Sequence, residues 1–181
     1  SRSPSVDVVV GTLRALGVAV GHQAALLPHG PADSPARELI QLSGAEAIGV
    51  DLGGTKMLVG VVSASGDVVH RRVVSSRGLD SEQLIEALAV QLQEALDSRP
   101  QVVAIGLGVP CTIDRERGLC VSAVNLPMRD VPLRDIVTTR FGLPTSIDND
   151  GNAAVIAEHR WGAAVGATNV VLLTIGTGVG G

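Results

Sequence analysis

Aromatic residues and lysine are almost absent from this sequence. Of its 181 residues, one is Trp, one is Phe and none is Tyr, so a core has to be built from aliphatic side chains. Lys56 is the single lysine among 14 basic residues (Lys and Arg), and the net charge is −4. Because no basic block stands out, nonspecific binding to the phosphate backbone of a nucleic acid is disfavoured.

Long apolar runs and paired metal-ligand motifs are also lacking. No apolar run reaches the ~18 residues of a membrane-spanning helix, and the N-terminus does not resemble a signal peptide. Cys111 and Cys120 form no Cys-x-x-Cys motif and have no paired histidines nearby, which disfavours a metal site in this chain. We therefore expect a cytoplasmic protein with reduced thiols, and neither a membrane nor a nucleic acid as a partner.

The chain divides at about residue 46. Residues 1–46 read as an N-terminal extension of unknown role, with a short strand at 6–10 and a short helix at 34–44. The rest predicts strands at 47–51, 57–63, 68–74, 102–110 and 144–148, helices at 81–97, 132–142 and 152–162, and a strand running into a glycine-rich loop at 169–181. Three hairpin-connected strands followed by β-α units predict an α/β domain. Because the chain ends inside that last loop, we expect a fragment.

The segment "DLGGTK" (51–56) is a candidate phosphate-binding turn. Gly53 and Gly54 permit positive φ and let backbone N–H groups approach a phosphate closely. Thr55 adds a hydroxyl donor and Lys56 a positive charge, while Asp51 could orient Mg²⁺ through water. A hairpin turn that merely needs glycine explains the same residues about equally well.

A second glycine-rich segment, "IGTGVGG" (175–181), follows an apolar strand. Its candidates for phosphate binding are Gly176, Thr177 and Gly178. Alone it is a weak signal, but two such turns at strand ends can hold one nucleotide from two sides.

The segment "IDNDGNAA" (147–154) carries more polar residues than a helix cap needs. Asp150 is a candidate for taking a proton from a sugar hydroxyl, and Asn149 for bonding a neighbouring hydroxyl. Asn152 or Asp150 could instead cap the following helix. The segments "GVPCTID" (108–114) and "SAVNLP" (122–127) read as loops that could shape a substrate pocket or be ordinary turns; they contribute Cys111 and Asn125.

In this order, "DLGGTK", "GLGVP", "NLP", "DNDGNAA" and "LLTIGTGVGG" resemble the ROK family of bacterial sugar kinases and related repressors, over residues 47–181. The resemblance implies a ribonuclease-H-like mixed sheet of the actin-like ATPase superfamily, with ATP bound between two lobes. This chain would hold the N-terminal lobe, and the second lobe would be largely missing. It further implies Mg-ATP as the phosphoryl donor and a hexose, most of all glucose, as the substrate.

The same resemblance assigns roles to single residues. It implies Asp150 as the catalytic base, Asn149 as a sugar ligand, and Gly53–Lys56 and Gly176–Gly178 as the two phosphate loops, with Asp51 near the metal. Cys111 stands where the family usually has a glycine beside the sugar. A sugar-binding Glu-x-Gly-His motif and a zinc-binding cysteine cluster would lie beyond Gly181, so a structural zinc is expected only there.

The full-length protein is expected to be a homodimer, and the 181-residue chain to be inactive alone. Other interpretations stay open. They are a sugar-sensing ROK repressor, a ROK kinase for N-acetylmannosamine, fructose or allose, a polyphosphate-dependent kinase, and a degenerate fragment with a structural role.

Overall fold

A five-stranded mixed sheet is the framework of the part of the chain that the structure describes. The structure is a computed structural model, and it describes residues 45–63, 67–161, 163–175 and 179–180. The strands of this sheet are β1 (Glu46–Leu52), β2 (Lys56–Ser63), β3 (Val68–Ser75), β4 (Val102–Val109) and β8 (Thr145–Asn149). Their order is β3-β2-β1-β4-β8. The first three form an antiparallel meander, and β4 and β8 run parallel to β1. Short turns permit the meander, whereas the parallel pairs need the longer crossovers that the helices supply.

Helix α1 (Ser81–Ser98) covers one face of the sheet. It begins with a capping box: Asp80 accepts from the backbone N–H of Gln83 at 2.9 Å, and the Gln83 side chain accepts from the backbone N–H of Asp80 at 3.0 Å. Its leucines recur every four residues, so one stripe faces the sheet. The buried side chains of the helix are Leu84, Leu88, Ala89, Gln91, Leu92 and Ala95.

Two shorter helices complete the layer structure. Helix α2 (Leu133–Phe141) ends at Gly142, whose φ of 65° is the left-handed value that glycine adopts without strain. Helix α3 (Asp150–Trp161) follows β8 with no intervening loop. An exposed ion pair between Arg140 and Glu86 links α2 to α1. Such pairs contribute little to stability, so packing holds the helices in place.

The core is aliphatic, as the shortage of aromatic residues predicts. It lies between the sheet and helices α1 and α2, and a smaller buried cluster occupies the other face of the sheet. The largest fully buried side chains are Ile48, Leu52, Met57, Leu84, Leu88, Leu92, Ile105, Leu107 and Leu133.

A small antiparallel sheet lies between β4 and α2. Its strands are β5 (Cys111–Asp114), β6 (Leu119–Ala123) and β7 (Arg129–Val131), in that order. The expectation of a plain loop at 108–114 was therefore wrong, whereas residues 124–127 form a loop, as expected for most of 122–127. Residues 111–114 and 119–123 pair around a tight turn in which Gly118 has a φ of 64°, which allows the hairpin to close.

The strand predicted to run into the glycine-rich loop of 169–181 is confirmed only at its end. Among the described residues of this segment, the strands are β9 (Thr174–Ile175) and β10 (Val179–Gly180), which pair with each other. Val171 and Leu173 are 87% and 68% exposed. Because a strand exists only where a neighbour supplies ladder hydrogen bonds, the apolar residues before β9 form no strand within the described part of the chain.

The other predicted strands and helices from residue 47 to residue 162 are confirmed to within about two residues at each end. The predicted strand at 6–10 and the predicted helix at 34–44 lie outside the described residues. Across the described ranges, no helix has both the length and the apolar character needed to cross a membrane.

Candidate active site

Functional side chains collect where the parallel strands end. β1, β4 and β8 run in the same direction, so their carboxyl ends meet at one edge of the sheet. The register pairs Asp51 with Gly108 and Gly108 with Asp148. Asp51 and Asp148 therefore flank Gly108 on the same face of the sheet. The spacing of neighbouring strands puts their Cα atoms about 10 Å from each other.

The turn between β1 and β2 is closed by a backbone hydrogen bond and held from the next strand. The N–H of Gly53 donates to the carbonyl oxygen of Lys56 at 2.9 Å. Buried Ser76, just after β3, donates its hydroxyl to the carbonyl oxygen of Gly53 at 2.5 Å and its N–H to that of Thr55 at 3.2 Å. Ser76 was not among the predicted site residues, because Gly53, which accepts its hydroxyl hydrogen bond, lies 23 residues away in the sequence.

Close approach, and not positive φ, explains the two glycines. Neither Gly53 nor Gly54 has a positive φ, which corrects the expectation above. A Cβ atom on Gly54 would lie 2.3 Å from the carbonyl oxygen of Asn125, a contact that real Cβ atoms do not make. Glycine at 54 therefore allows the segment that carries Asn125 to pack onto the turn.

The turn also leaves hydrogen-bond donors unused. Among the described residues, no acceptor is paired with the backbone N–H groups of Gly54 and Thr55, and Lys56 makes no ion pair. Both Thr55 and Lys56 are exposed. Two adjacent N–H groups beside an ammonium group form a donor set that suits phosphate oxygens.

Asp51 sits between like and unlike charges. Burial, followed by the negative charge of Asp150, raises the pKa of the Asp51 carboxyl group from 3.8 to about 6, although the nearby Lys56 acts in the opposite direction. Mutual repulsion between carboxylates at the same edge favours a cation there. A hydrated Mg²⁺ would suit that need.

Asn149 caps helix α3. Its Oδ1 accepts from the backbone N–H groups of Gly151 at 2.9 Å and Asn152 at 3.3 Å. The expectation that Asn152 or Asp150 caps this helix was therefore wrong. Asp150 itself is half-buried, and among the described residues it accepts only the N–H of Gly151, at 2.9 Å.

Comparison with known proteins decides the family. Residues 47–181 match the model of the ROK family. This chain belongs to the ROK family. It is 37% identical over 134 residues to a glucokinase of Streptomyces coelicolor and 33% identical over 138 residues to a xylose repressor of Caldicellulosiruptor bescii. Each alignment covers 74% of this chain, but 42% of the glucokinase and 35% of the repressor. The chain thus spans about two-fifths of the length of the curated relatives it matches.

The solved structures agree on the fold. A ROK family glucokinase from Streptomyces griseus, in complex with glucose and AMPPNP, is similar with a TM-score of 0.70 and 36% identity. The match covers 75% of this chain and 43% of the other. The predicted actin-like ATPase fold and the predicted ROK membership are confirmed.

A cavity of about 520 Å³ opens beside the sheet edge of this ROK chain. β5 and the turn after it line one side, and the end of β8 with the start of α3 lines the other. Its volume lies in the range of small-molecule pockets. The residues that line it are Cys111, Thr112, Ile113, Asp114, Arg115, Glu116, Asp148, Asn149 and Asn152.

Asp148 is the buried acid of this cavity, with only 7% of its surface exposed. Arg115 Nη2 lies 2.9 Å from both of its carboxylate oxygens. Oδ1 also accepts from the backbone N–H of Asn149 at 2.7 Å and from Asn152 Nδ2 at 3.0 Å. Sequence analysis missed both Asp148 and Arg115, because they belong to elements 33 residues apart.

The two cysteines of this ROK chain form a disulfide, which contradicts the expectation of reduced thiols. The β5–β6 hairpin brings Cys111 and Cys120 to a Cα separation of 5.8 Å, within bridging distance. The Cys111 side chain therefore offers no free thiol to a substrate. The backbone carbonyl oxygen of Cys111 accepts from Asn149 Nδ2 at 3.3 Å.

The structure describes most, but not all, of the site residues predicted from the sequence. Asp51, Gly53, Gly54, Thr55, Lys56, Asn125, Asn149 and Asp150 are brought to one edge of the sheet. Gly176, Thr177 and Gly178 lie outside the described residues. Within the described ranges, no group of three or more His, Cys, Asp or Glu side chains could hold a metal ion.

Proposed function

We propose that the full-length protein transfers the γ-phosphoryl group of Mg-ATP to a hydroxyl of a hexose, with glucose as the preferred substrate. The ROK glucokinases support the sugar and the donor, because this chain is 37% identical to a curated glucokinase and similar to one solved with glucose and AMPPNP. The chain covers less than half of either protein, so the activity belongs to the whole protein.

The observation that carries the proposal is the position of Asp150. It is the first residue of α3, next to the cavity, and its charge acts on Asp51 at the end of β1. A carboxylate there can accept the proton of a sugar hydroxyl as that oxygen attacks the phosphorus atom. One O–P bond forms, the bond from phosphorus to the leaving ADP oxygen breaks, and the proton ends on Asp150.

Asn149 is proposed to orient the sugar. Its Oδ1 is engaged in capping α3, but Nδ2 carries two hydrogens, and the contact with Cys111 uses one. The second hydrogen can be donated to a sugar hydroxyl. Asn125, packed on the first glycine turn, is the candidate for contacting sugar and phosphate together.

The phosphates are proposed to bind the first turn through the N–H groups of Gly54 and Thr55 and through Lys56. Asp51 would hold the metal ion through water, and Gly176–Gly178 would form the second phosphate contact. Mg²⁺, when bound, offsets the charge that develops on the transferred phosphoryl group. A structural zinc, a homodimer and a cytoplasmic location are proposed for the full-length protein on family resemblance alone.

A sugar-sensing repressor is the second candidate. One curated relative at 33% identity is a xylose repressor. The curated glucokinases match this chain at 37–39% identity and the xylose repressor at 33%, so the kinase is the better supported function.

A coupled assay for ADP release tests the proposal. The full-length protein is incubated with ATP, or with polyphosphate, and with glucose, fructose, allose or N-acetylmannosamine in turn. We expect turnover with glucose and ATP, and none from the 181-residue chain alone. No turnover with any hexose, together with sugar-dependent release of operator-like DNA in a gel-shift assay, would establish the repressor instead. Failure of both assays would favour a degenerate protein with a structural role.

A further inference from the structure

We propose that Asp148 is a positioning residue for Asn149 and Asp150, and that Arg115 holds it in place from across the cavity. This inference rests on the proposed function. No direct contact of Asp148 with the sugar is required. The carboxylate acts through its neighbours, because it accepts from the backbone N–H of Asn149 and from the side chain of Asn152 on the first turn of α3.

The local geometry makes Asp148 the centre of the segment that carries the proposed base. Its Oδ1 accepts from the backbone N–H of the residue before Asp150 and from the side chain of the residue two positions after it. Asn149 in turn caps α3 through Oδ1. The backbone of Asp150 is therefore fixed from both sides by one buried carboxylate and by the cap that this carboxylate orients.

Arg115 supplies the only positive charge paired with Asp148 among the described residues. The guanidinium group spans the cavity from the turn after β5, and 64% of the side chain is exposed. A buried carboxylate that loses its cation is costly to keep in place, so the Asp148 side chain would reorient. That change weakens its hydrogen bond to the N–H of Asn149.

The turn that presents Arg115 is itself braced. Arg134 of α2 donates to the carbonyl oxygen of Arg115 at 3.1 Å and to that of Glu116 at 3.2 Å. A Cβ atom on Gly118 would lie 2.4 Å from Arg134 Nε, so glycine is needed for this contact. The hairpin is thus fixed to α2, and Arg115 is presented from a rigid support.

The test compares Arg115→Ala, Arg115→Lys and the control Arg117→Ala in the full-length protein. Arg117 lies on the same turn and is exposed, and its side chain has no partner among the described residues. We expect Arg115→Ala to raise KM for the sugar about tenfold, the effect of losing one hydrogen bond to a charged group, with KM for ATP unchanged within about twofold. Arg115→Lys should restore part of the loss, because it restores the charge.

Hydrogen exchange gives a readout that needs no turnover. The amides of Gly151 and Asn152 bond to Asn149 Oδ1. Their exchange should be faster in Arg115→Ala, by about tenfold, than in the wild-type protein or in Arg117→Ala. If neither the sugar KM nor this exchange differs between Arg115→Ala and Arg117→Ala, the positioning role is wrong.

The two proposals fail separately. If the wild-type protein phosphorylates no hexose, the proposed function is wrong, and the exchange measurement still decides the role of Arg115 and Asp148. If turnover is normal and the exchange is unaffected in Arg115→Ala, only the positioning role is overturned. Loss of kcat with unchanged KM values and unchanged exchange would indicate a different role for Arg115 and would also overturn it.

Discussion

At the scale of single residues, the charged carboxylate of Asp51 lowers the stability of the fold. Its carboxyl group is mostly buried and close to Asp150, and both effects oppose ionisation. Lys56 offsets only part of this cost. A bound cation or a phosphate–metal complex would relieve the repulsion, which is the behaviour expected of a binding site and not of a structural ion pair.

Asp51→Asn should therefore stabilise the chain at neutral pH. The folded-state pKa of Asp51 is about 6, above the 3.8 of the free side chain. The contribution of the protonated carboxyl group to the free energy of unfolding is therefore fully present below pH 3.8, and it is lost as the pH rises through about 6. The variant has no proton to lose there. Its gain in unfolding free energy over the wild type should grow by up to about 3 kcal/mol between about pH 4 and pH 7.5.

Urea unfolding at the two pH values measures this difference. Asp97→Asn, which removes an exposed carboxylate near the end of α1, is the matched control and should show no comparable change. A gain that stays constant with pH would mean that the Asp51 carboxyl group titrates normally.

At the scale of elements, sequence patterns predicted the sheet better than its edge. The apolar runs of β1, β2 and β4 and the leucine stripe of α1 are local signals, and the structure follows them. The β5–β6 hairpin was missed because its strands are short and its pairing depends on a turn at Gly118 and a register shift after Thr112. The cap of α3 was predicted at Asp150 or Asn152, one or three residues after the observed cap Asn149, because the position of a cap depends on where β8 ends.

The disulfide between β5 and β6 should stabilise this hairpin. Because it closes a loop of about ten residues, reduction should lower the unfolding free energy by about 2–3 kcal/mol. Denaturant unfolding with and without dithiothreitol measures the change. The Cys111→Ala/Cys120→Ala double variant is the control, since its stability should not respond to the reductant.

Equal stability of the wild type under both conditions would show that the bond is absent in solution. Alkylation of thiols in intact cells also tests the proposed cellular location of the protein. Two free thiols would agree with the proposed cytoplasmic location, whereas a protected pair would argue for an oxidising compartment.

At the scale of the whole molecule, the order of motifs was more informative than any single one. Each glycine turn alone also fits a hairpin, and "DNDGNAA" alone also fits a helix cap. The parallel strands bring Asp51, Asp148 and Asp150 to one edge of the sheet, where together they form a site. Long-range partners could not be predicted. Ser76 on the first turn and Arg115 on Asp148 are joined to the site only by folding.

Asp150→Asn in the full-length protein tests the central claim most directly. The change keeps the size of the side chain and removes its capacity to accept a proton, so kcat for glucose phosphorylation should fall by about 10²–10⁴. Glucose affinity, measured by calorimetry, should change by less than about threefold, and Asp97→Asn should leave both quantities unaltered. Turnover of Asp150→Asn within about tenfold of the wild-type rate would contradict the assignment of Asp150 as the general base.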